Sequence, residues 1–496
     1  MIEQNFPALR ALVADNVAAQ AELATLLEAS TNVSDLQARL TKLEAELAQF
    51  KTNSQNSSKS PASDRFTRNK PKPRSLREKT GRKPGGQPGH LGQSLAMSPS
   101  PDEIINHPPP ALCPECNSDL SEAAAAVDEK GQPIVEIRQV IDLVPPKKRI
   151  TEHRARTVIC PHCAARVSGG FPPGVHGPVC YGPSVQATVL YLSVEQLLPS
   201  HRLVDLMEEL CDCPMSPGSV ATIVRRGGEA AAPIVAAIRA EMKQEPWCGF
   251  DETGLSLAGN IHWLHTASSP NYTVLHAHAN RGKIGILAGG IIEGYTGIAI
   301  HDYWSAYHDM TERHGLCNAH HLRELRYLFE EMEQPWAGRM MTFLRTAKKQ
   351  VETATDAKMK LEPTAIEKLR TEYDEIIAEG YASNPEPPPK PPGQRGRQAR
   401  GKALNLLDRF ANRPTEVLAF LYEGAPFDNN HAERDLRMMK TRQKISGCFK
   451  SEEVLTAFVE TRSVLATAKK HAVGAFKVFK TLFGANPTLD TIINPE

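Results

Sequence analysis

The spacing of apolar residues changes several times along the chain, and each change marks an element. Leu26, Ala29, Val33, Leu36, Leu40, Leu43, Leu47 and Phe50 alternate steps of three and four, which is the a/d seam of a coiled coil. Arg39 and Glu44, and likewise Glu46 and Lys51, fall at g and e, so a parallel partner helix meets opposite charges. Residues 1–51 are therefore expected to be a helical oligomerisation region and the protein a homo-oligomer, although Ser30-Thr31-Asn32 could instead divide the seam into two short helices packed on their own domain. Over 52–105 apolar positions nearly vanish, which predicts a flexible arm with too little to bury.

Helical spacing returns over 181–243. Residues 201–210 read as a short amphipathic helix, 211–215 as a turn, and Ser216-Pro217 as the cap and first residue of a further helix through Arg225 and Arg226. That is a helix-turn-helix-like region, whose second helix would offer Ser219, Thr222, Arg225 and Arg226 to DNA, although two helices joined by a turn are more often scaffold. Strand character follows at Trp247–Leu257, 261–267 and 272–278, then a helix at 282–292 and a fourth strand at 297–302. Strand, strand, strand, helix, strand is the order of an RNase H-like domain, with the first and fourth strands adjacent. The expected fold is multidomain α+β, with an RNase H-like mixed sheet and flanking helices over 244–320 and 426–496. An all-helical insertion over 321–425 interrupts it, carrying a basic Pro-rich loop with Lys390, Arg395, Arg397, Arg400 and Lys402.

Charge and cysteine placement add chemistry to this outline. The 496 residues carry a formal charge of only +1, but the arm between Lys59 and Lys83 holds ten Lys or Arg against Asp64 and Glu78. Arg65, Arg68, Lys70, Lys72, Arg74, Arg82 and Lys83 are its candidate phosphate contacts, since flexible basic arms bind DNA through counterion release. No apolar run is long enough to span a membrane and the N-terminus lacks a signal peptide, so a cytoplasmic protein with no membrane partner is expected. Ten cysteines there are thiols or metal ligands. Cys113-Pro-Glu-Cys116 and Cys160-Pro-His-Cys163 predict a zinc-ribbon-like module over 106–180 with structural Zn2+, in which the insert between the pairs forms its own hairpin from the strand-like stretch 134–140. A redox pair would not account for two separate motifs.

Two aspartates, Asp251 and Asp302, close apolar strand-like runs, where two carboxylates can share a metal ion. Either alone would ordinarily be read as a turn former or a helix cap. Glu433 begins a helix carrying Arg434, Arg437, Lys440, Arg442 and Lys444; a carboxylate among phosphate-binding groups is costly unless a cation offsets it. Glu252 adjoins Asp251 and is expected on the opposite strand face. Cys317 and His320 suggest half of a zinc site, but no second half is evident, so packing is the safer reading.

In this order, Asn53-Ser-Gln-Asn-Ser-Ser-Lys59, the stretch 82–90, the paired CxxC motifs, Tyr181-Gly-Pro183, Asp251-Glu-Thr253, His301-Asp-Tyr-Trp304, Asn429-Asn-His-Ala-Glu-Arg434, and Ser446-Gly447 before Ser451-Glu-Glu453 resemble the DDE transposases of the insertion-sequence 66 family. The resemblance spans essentially the whole chain. It implies a transposase acting on double-stranded DNA at the element ends and the target, in a bacterial, nucleoid-associated setting. Asp251, Asp302 and Glu433 would be the acids holding two Mg2+ ions, for which Mn2+ can substitute, and small accessory proteins would be partners. The Cys317-x-x-His320 pair resembles a signature found after the second acid in several transposase groups, without a role attached. The rival readings are a zinc-containing DNA-binding regulator with an inactive nuclease-like domain and a host nuclease of the same fold.

Overall fold

The computed structural model describes residues 89, 96–143, 146, 148–387, 400–422 and 424–495. The expected coiled coil, the arm residues from Arg65 to Lys83, and Lys390, Arg395 and Arg397 of the Pro-rich loop lie outside the described residues. Two compact units result, one holding Glu152–Met207 and Pro214–Glu496, the other Ser75–Thr151 with Glu208–Cys213. The module expected over 106–180 is thus divided, with one CxxC motif in each unit.

In the smaller unit, isolated bridges join Leu112 to Asp119 and Val127 to Pro133. The stretch 134–140 forms no strand among the described residues, and Ile134, Val135, Ile137 and Val140 are exposed. Strand propensity alone does not suffice where no neighbouring strand or core receives the side chains. In the larger unit a short hairpin, β1 (Thr157–Ile159) with β2 (Arg166–Ser168), instead flanks the second CxxC motif.

The larger unit is organised on five strands: β3 (Trp247–Leu257), β4 (Asn260–Ser268), β5 (Thr273–His278), β6 (Ile298–His301) and β7 (His314–Leu316). Their order is β5-β4-β3-β6-β7, with β3, β4 and β5 antiparallel and β6 and β7 added in parallel. This mixed sheet is compatible with an RNase H-like domain, and the first and fourth of the expected strands do pair. A two-residue turn joins β3 to β4, with positive φ at both Ala258 (48°) and Gly259 (86°), the twist that matches a hairpin. The fifth strand was not expected. It has three residues, too few for a period to be read.

Before the sheet come α1 (Pro183–Leu190), α2 (Ser200–Cys211) and α3 (Pro217–Met242). The start of α3 is as expected: Ser216 caps it by accepting the Ser219 N–H at 3.1 Å, and Pro217 follows. The helix then runs for 26 residues, because Gly227, Gly228, Ala231, Ile234, Val235 and Ile238 continue a buried stripe. The stripe ties the helix into the core, while Thr222 and Arg226 stay exposed.

After β5 comes α4 (Lys283–Ala288), and after β7 the helical region expected as an insertion: α5 (Asn318–Glu331), α6 (Pro335–Asp356), α7 (Pro363–Ser383), α8 (Gly401–Asn412), α9 (Pro414–Val417) and α10 (Ala419–Tyr422). Trp336, Met340, Phe343, Tyr373, Leu407 and Phe410 form its own core. Its two ends meet, the Asn318 N–H donating to the Phe427 carbonyl at 3.1 Å.

The chain closes with α11 (Asn430–Ser446), α12 (Glu452–Lys470), α13 (Ala475–Leu482) and α14 (Leu489–Ile493). Helix α12 covers the β5 edge: Thr467 Oγ1 accepts the Thr273 N–H at 3.0 Å and Ser463 Oγ the Leu275 N–H at 2.9 Å. Hydroxyls from a helix thereby satisfy edge groups that would otherwise recruit another strand.

On its other side α12 meets α3 at backbone distance. A Cβ built on Gly228 would lie 2.4 Å from Ala457 Cα. Gly228→Ala is therefore expected to destabilise the protein by about 1–3 kcal/mol, as overpacking does, whereas Gly218→Ala, where the nearest atom is 3.5 Å away, leaves the melting temperature almost unchanged. Thermal unfolding followed by circular dichroism distinguishes them.

Candidate active site

The parallel register of β3 and β6 pairs Trp247 with Ile298, Cys248 with Ala299 and Gly249 with Ile300. Two residues beyond the last pair come Asp251, still within β3, and Asp302, one residue past the end of β6. Asp251 shares the Gly249 face of β3 by the two-residue repeat, and Asp302 is near enough for its charge to act on Asp251.

That face is the one against which α11 lies. Asn429, immediately before the helix, donates from Nδ2 to the Phe250 carbonyl at 2.7 Å, and Lys440 Nζ donates to the Gly254 carbonyl at 2.6 Å. Close approach at the first contact requires a glycine: a Cβ on Gly249 would stand 2.1 Å from Asn429 Oδ1. With α11 so anchored, Glu433 in its first turn is close enough to Asp251 for their charges to interact. Asp435, two residues on, is committed elsewhere. Its Oδ2 accepts Ser268 Oγ and Thr273 Oγ1, both at 2.8 Å.

Burial pushes the Asp251 carboxyl well above the usual carboxylate range, with Glu252, Glu433 and Asp302 adding like-charge repulsion. Asp302 is also raised by burial, partly offset because its Oδ1 accepts the Trp304 N–H at 2.9 Å. The three acids interact through their charges, but among the described residues their oxygens are not a group within 4.8 Å of one another. Glu433 also has a cationic neighbour, Arg323, at 3.5 Å.

Glu252 belongs to the other face. Arg281 donates to its Oε1 from Nε at 2.9 Å and Nη2 at 2.7 Å, and Tyr307 donates to Oε2 at 2.7 Å. Arg281 itself sits over Trp304 at 4.3 Å and Trp263 at 5.0 Å. The Glu252 side chain is only 3% exposed, so it braces the strand behind Asp251. Arg281 and Tyr307 were missed from sequence because their carboxylate partner is 29 and 55 residues away, with no periodic signal to join them.

The basic residues expected to contact DNA differ in availability. Arg434 and Arg437 are exposed on α11, and Arg226 is exposed on α3. Arg225 is half-buried and reaches Thr222 Oγ1 at 3.4 Å, while exposed Lys440 is also tied to β3. Arg442 lies 3.5 Å from the Phe449 ring centroid and 5.2 Å from that of Phe458, a packing role. Arg400 is held by Glu386 and Asp408.

The two CxxC motifs, each in its own unit, repeat one backbone pattern. Cys113 N–H donates to Ser118 O at 2.8 Å and Asn117 N–H returns to Cys113 O at 2.9 Å; Cys160 with Ala165 and Ala164 does the same, both at 2.9 Å. Asn117 and Ala164 both take positive φ, 60° and 57°. Hydrogen bonds lower both Cys116 and Cys160, chiefly from Ser118 in the first case and the Cys163 backbone in the second, with the paired cysteine Cys113 or Cys163 contributing. Such knuckles present thiolates readily to a metal.

Cys317 and His320 at the start of α5 have a third neighbour that sequence spacing could not supply. Glu433 joins them, and donor atoms of all three lie within 4.8 Å of one another.

A family model described as "Transposase IS66 family" matches residues 178–457, and a second, "Family of unknown function (DUF6444)", matches residues 5–96. Comparison with curated proteins returned no match. No helix among the described residues is long and apolar enough to cross a membrane.

Removing one acceptor oxygen with Glu252→Gln leaves Arg281 without its carboxylate partner and is expected to cost about 1–3 kcal/mol. Urea denaturation checks this through a lower midpoint at an unchanged slope.

Proposed function

The chain belongs to the IS66 transposase family, matched over 178–457, and from that premise we propose that it binds the ends of an insertion sequence and carries out metal-dependent cleavage and strand transfer. The observation carrying this reading is the β3–β6 register, which supports Asp251 and Asp302 as neighbours, with Glu433 on α11 as the third acid. Asp251, Asp302 and Glu433 would be the residues that hold the Mg2+ ions. When bound, the ions activate the attacking oxygen and neutralise charge on the leaving oxygen.

The protein's residues supply positioning. Asn429 and Lys440 hold α11 and its carboxylate over the strand that carries Asp251. Glu252, fully occupied by Arg281 and Tyr307, keeps that strand in place from behind. In the proposed sequence, water attacks the phosphodiester at the element end, the bond to the departing strand breaks, and a 3′ hydroxyl is freed. That hydroxyl then attacks a target phosphodiester, exchanging one P–O bond for another with no covalent enzyme intermediate.

Arg434, Arg437 and Arg226 are the exposed cations best suited to phosphates in this scheme, joined by the arm residues Arg65 to Lys83. Cys113, Cys116, Cys160 and Cys163 are the proposed ligands of structural Zn2+, on the ground that each pair already has the same knuckle fold. Association through residues 1–51 would bring two DNA ends together.

Asp251→Asn, Asp302→Asn and Glu433→Gln are each expected to reduce cleavage and joining of a plasmid carrying the element ends by more than about 100-fold, beyond the loss produced by outer-shell metal partners alone, while end binding in a gel-shift assay persists. Near-normal joining by any one of them would exclude that residue from the site. Elemental analysis of purified protein is expected to find zinc that falls on Cys113→Ser or Cys160→Ser; zinc unchanged in both would refute the knuckle assignment.

A further inference from the structure

We propose that Cys317, His320 and Glu433 form a site for a thiophilic divalent cation, with Zn2+ the ion that their donor set matches. The site is distinct from the CxxC knuckles and shares Glu433 with the proposed catalytic acids, one carboxylate oxygen serving each role. Its ligands come from two elements that the chain brings together only after a long helical region: Cys317 caps α5, His320 lies in its first turn, and Glu433 lies in the first turn of α11. The His320 N–H donates to the Cys317 carbonyl at 3.1 Å, tightening the turn between the two side chains.

Three observations point to a metal. Donor atoms of the three groups lie within 4.8 Å of one another, so shifts on the order of an ångström would bring them to tetrahedral spacing around bonds of about 2.0–2.3 Å. His320 Nδ1 is buried with no hydrogen-bond partner among the described residues, so its ring has a nitrogen left to take a ligand. Cys317 Sγ already accepts the Asn429 N–H at 3.2 Å, the kind of outer bond that steadies a metal-bound sulfur.

The charges also match. A thiolate and a carboxylate neutralise a divalent ion, and the imidazole adds a neutral donor. Sulfur and nitrogen select Zn2+ or Co2+ over Mg2+. Arg323, 3.5 Å from Glu433, competes for the same carboxylate and would move aside or share it. Three protein ligands leave one position open, as in zinc sites that exchange a ligand.

Co2+ titration of the full chain tests the site, because a cobalt–thiolate bond gives a charge-transfer band. One Co2+ equivalent more is expected in the parent than in Cys317→Ser, and His320→Ala and Glu433→Gln are expected to weaken that equivalent at least about tenfold. Half-buried Glu433 can be changed to Gln with little risk to the fold, so the test survives if Cys317→Ser does not fold. Asp251→Asn should bind as the parent does, and excess Mg2+ should not displace the cobalt. Equal cobalt binding in the parent, His320→Ala and Glu433→Gln, or loss of the band in Asp251→Asn, would overturn the proposal. Joining activity is not read at any step, so failure here leaves the transposase reading intact.

Discussion

A single amide holds α11 to the face of β3 that carries Asp251. Asn429 donates to the carbonyl of Phe250 while its oxygen presses against Gly249. Glu433 is therefore fixed relative to Asp251 by a bond to the residue immediately before that aspartate. A carboxylate on a helix is otherwise free to shift with that helix by an ångström or more, and metal coordination does not tolerate such play. The bare glycine is part of the device, because any side chain at 249 would push α11 away from the sheet.

The remainder of the larger unit keeps that strand still. Glu252 engages three donors from Arg281 and Tyr307 on the opposite face. At the far edge α12 answers the β5 N–H groups with Ser463 and Thr467, and α3 seals α12 through Gly228 and Ala457. The acids thus stand on a sheet supported on both faces and along one edge. Within that frame, burial and neighbouring carboxylates raise the Asp251 carboxyl.

Much of this frame was legible before the structure. Short apolar runs with strand character located β3, β4, β5 and β6 to within a residue or two, and β6 is buried at all four of its positions, as a run without alternation implies. The Ser216-Pro217 start of α3 was equally readable, since caps act locally. What could not be read depended on distance or on missing partners. The stretch 134–140 has strand composition but no neighbouring strand, and β7 is too short to show a period. Cys317 and His320 looked like half a site because Glu433 approaches them only in three dimensions. Arg442 belonged by charge to a DNA-facing run, yet Phe449 and Phe458 claim its guanidinium.

The meeting of Asn318 and Phe427 across a 3.1 Å hydrogen bond bears on how such a chain can change over time. A segment whose two ends touch closes a loop already held by the sheet, so its length contributes only a slowly growing entropic term. With its own core around Trp336 and Phe410, the helical segment can be lengthened, trimmed or exchanged as a cassette while the spacing of β3, β6 and α11 is preserved. Variation in what the protein touches can then accumulate in that cassette, and the geometry of the acids stays constant.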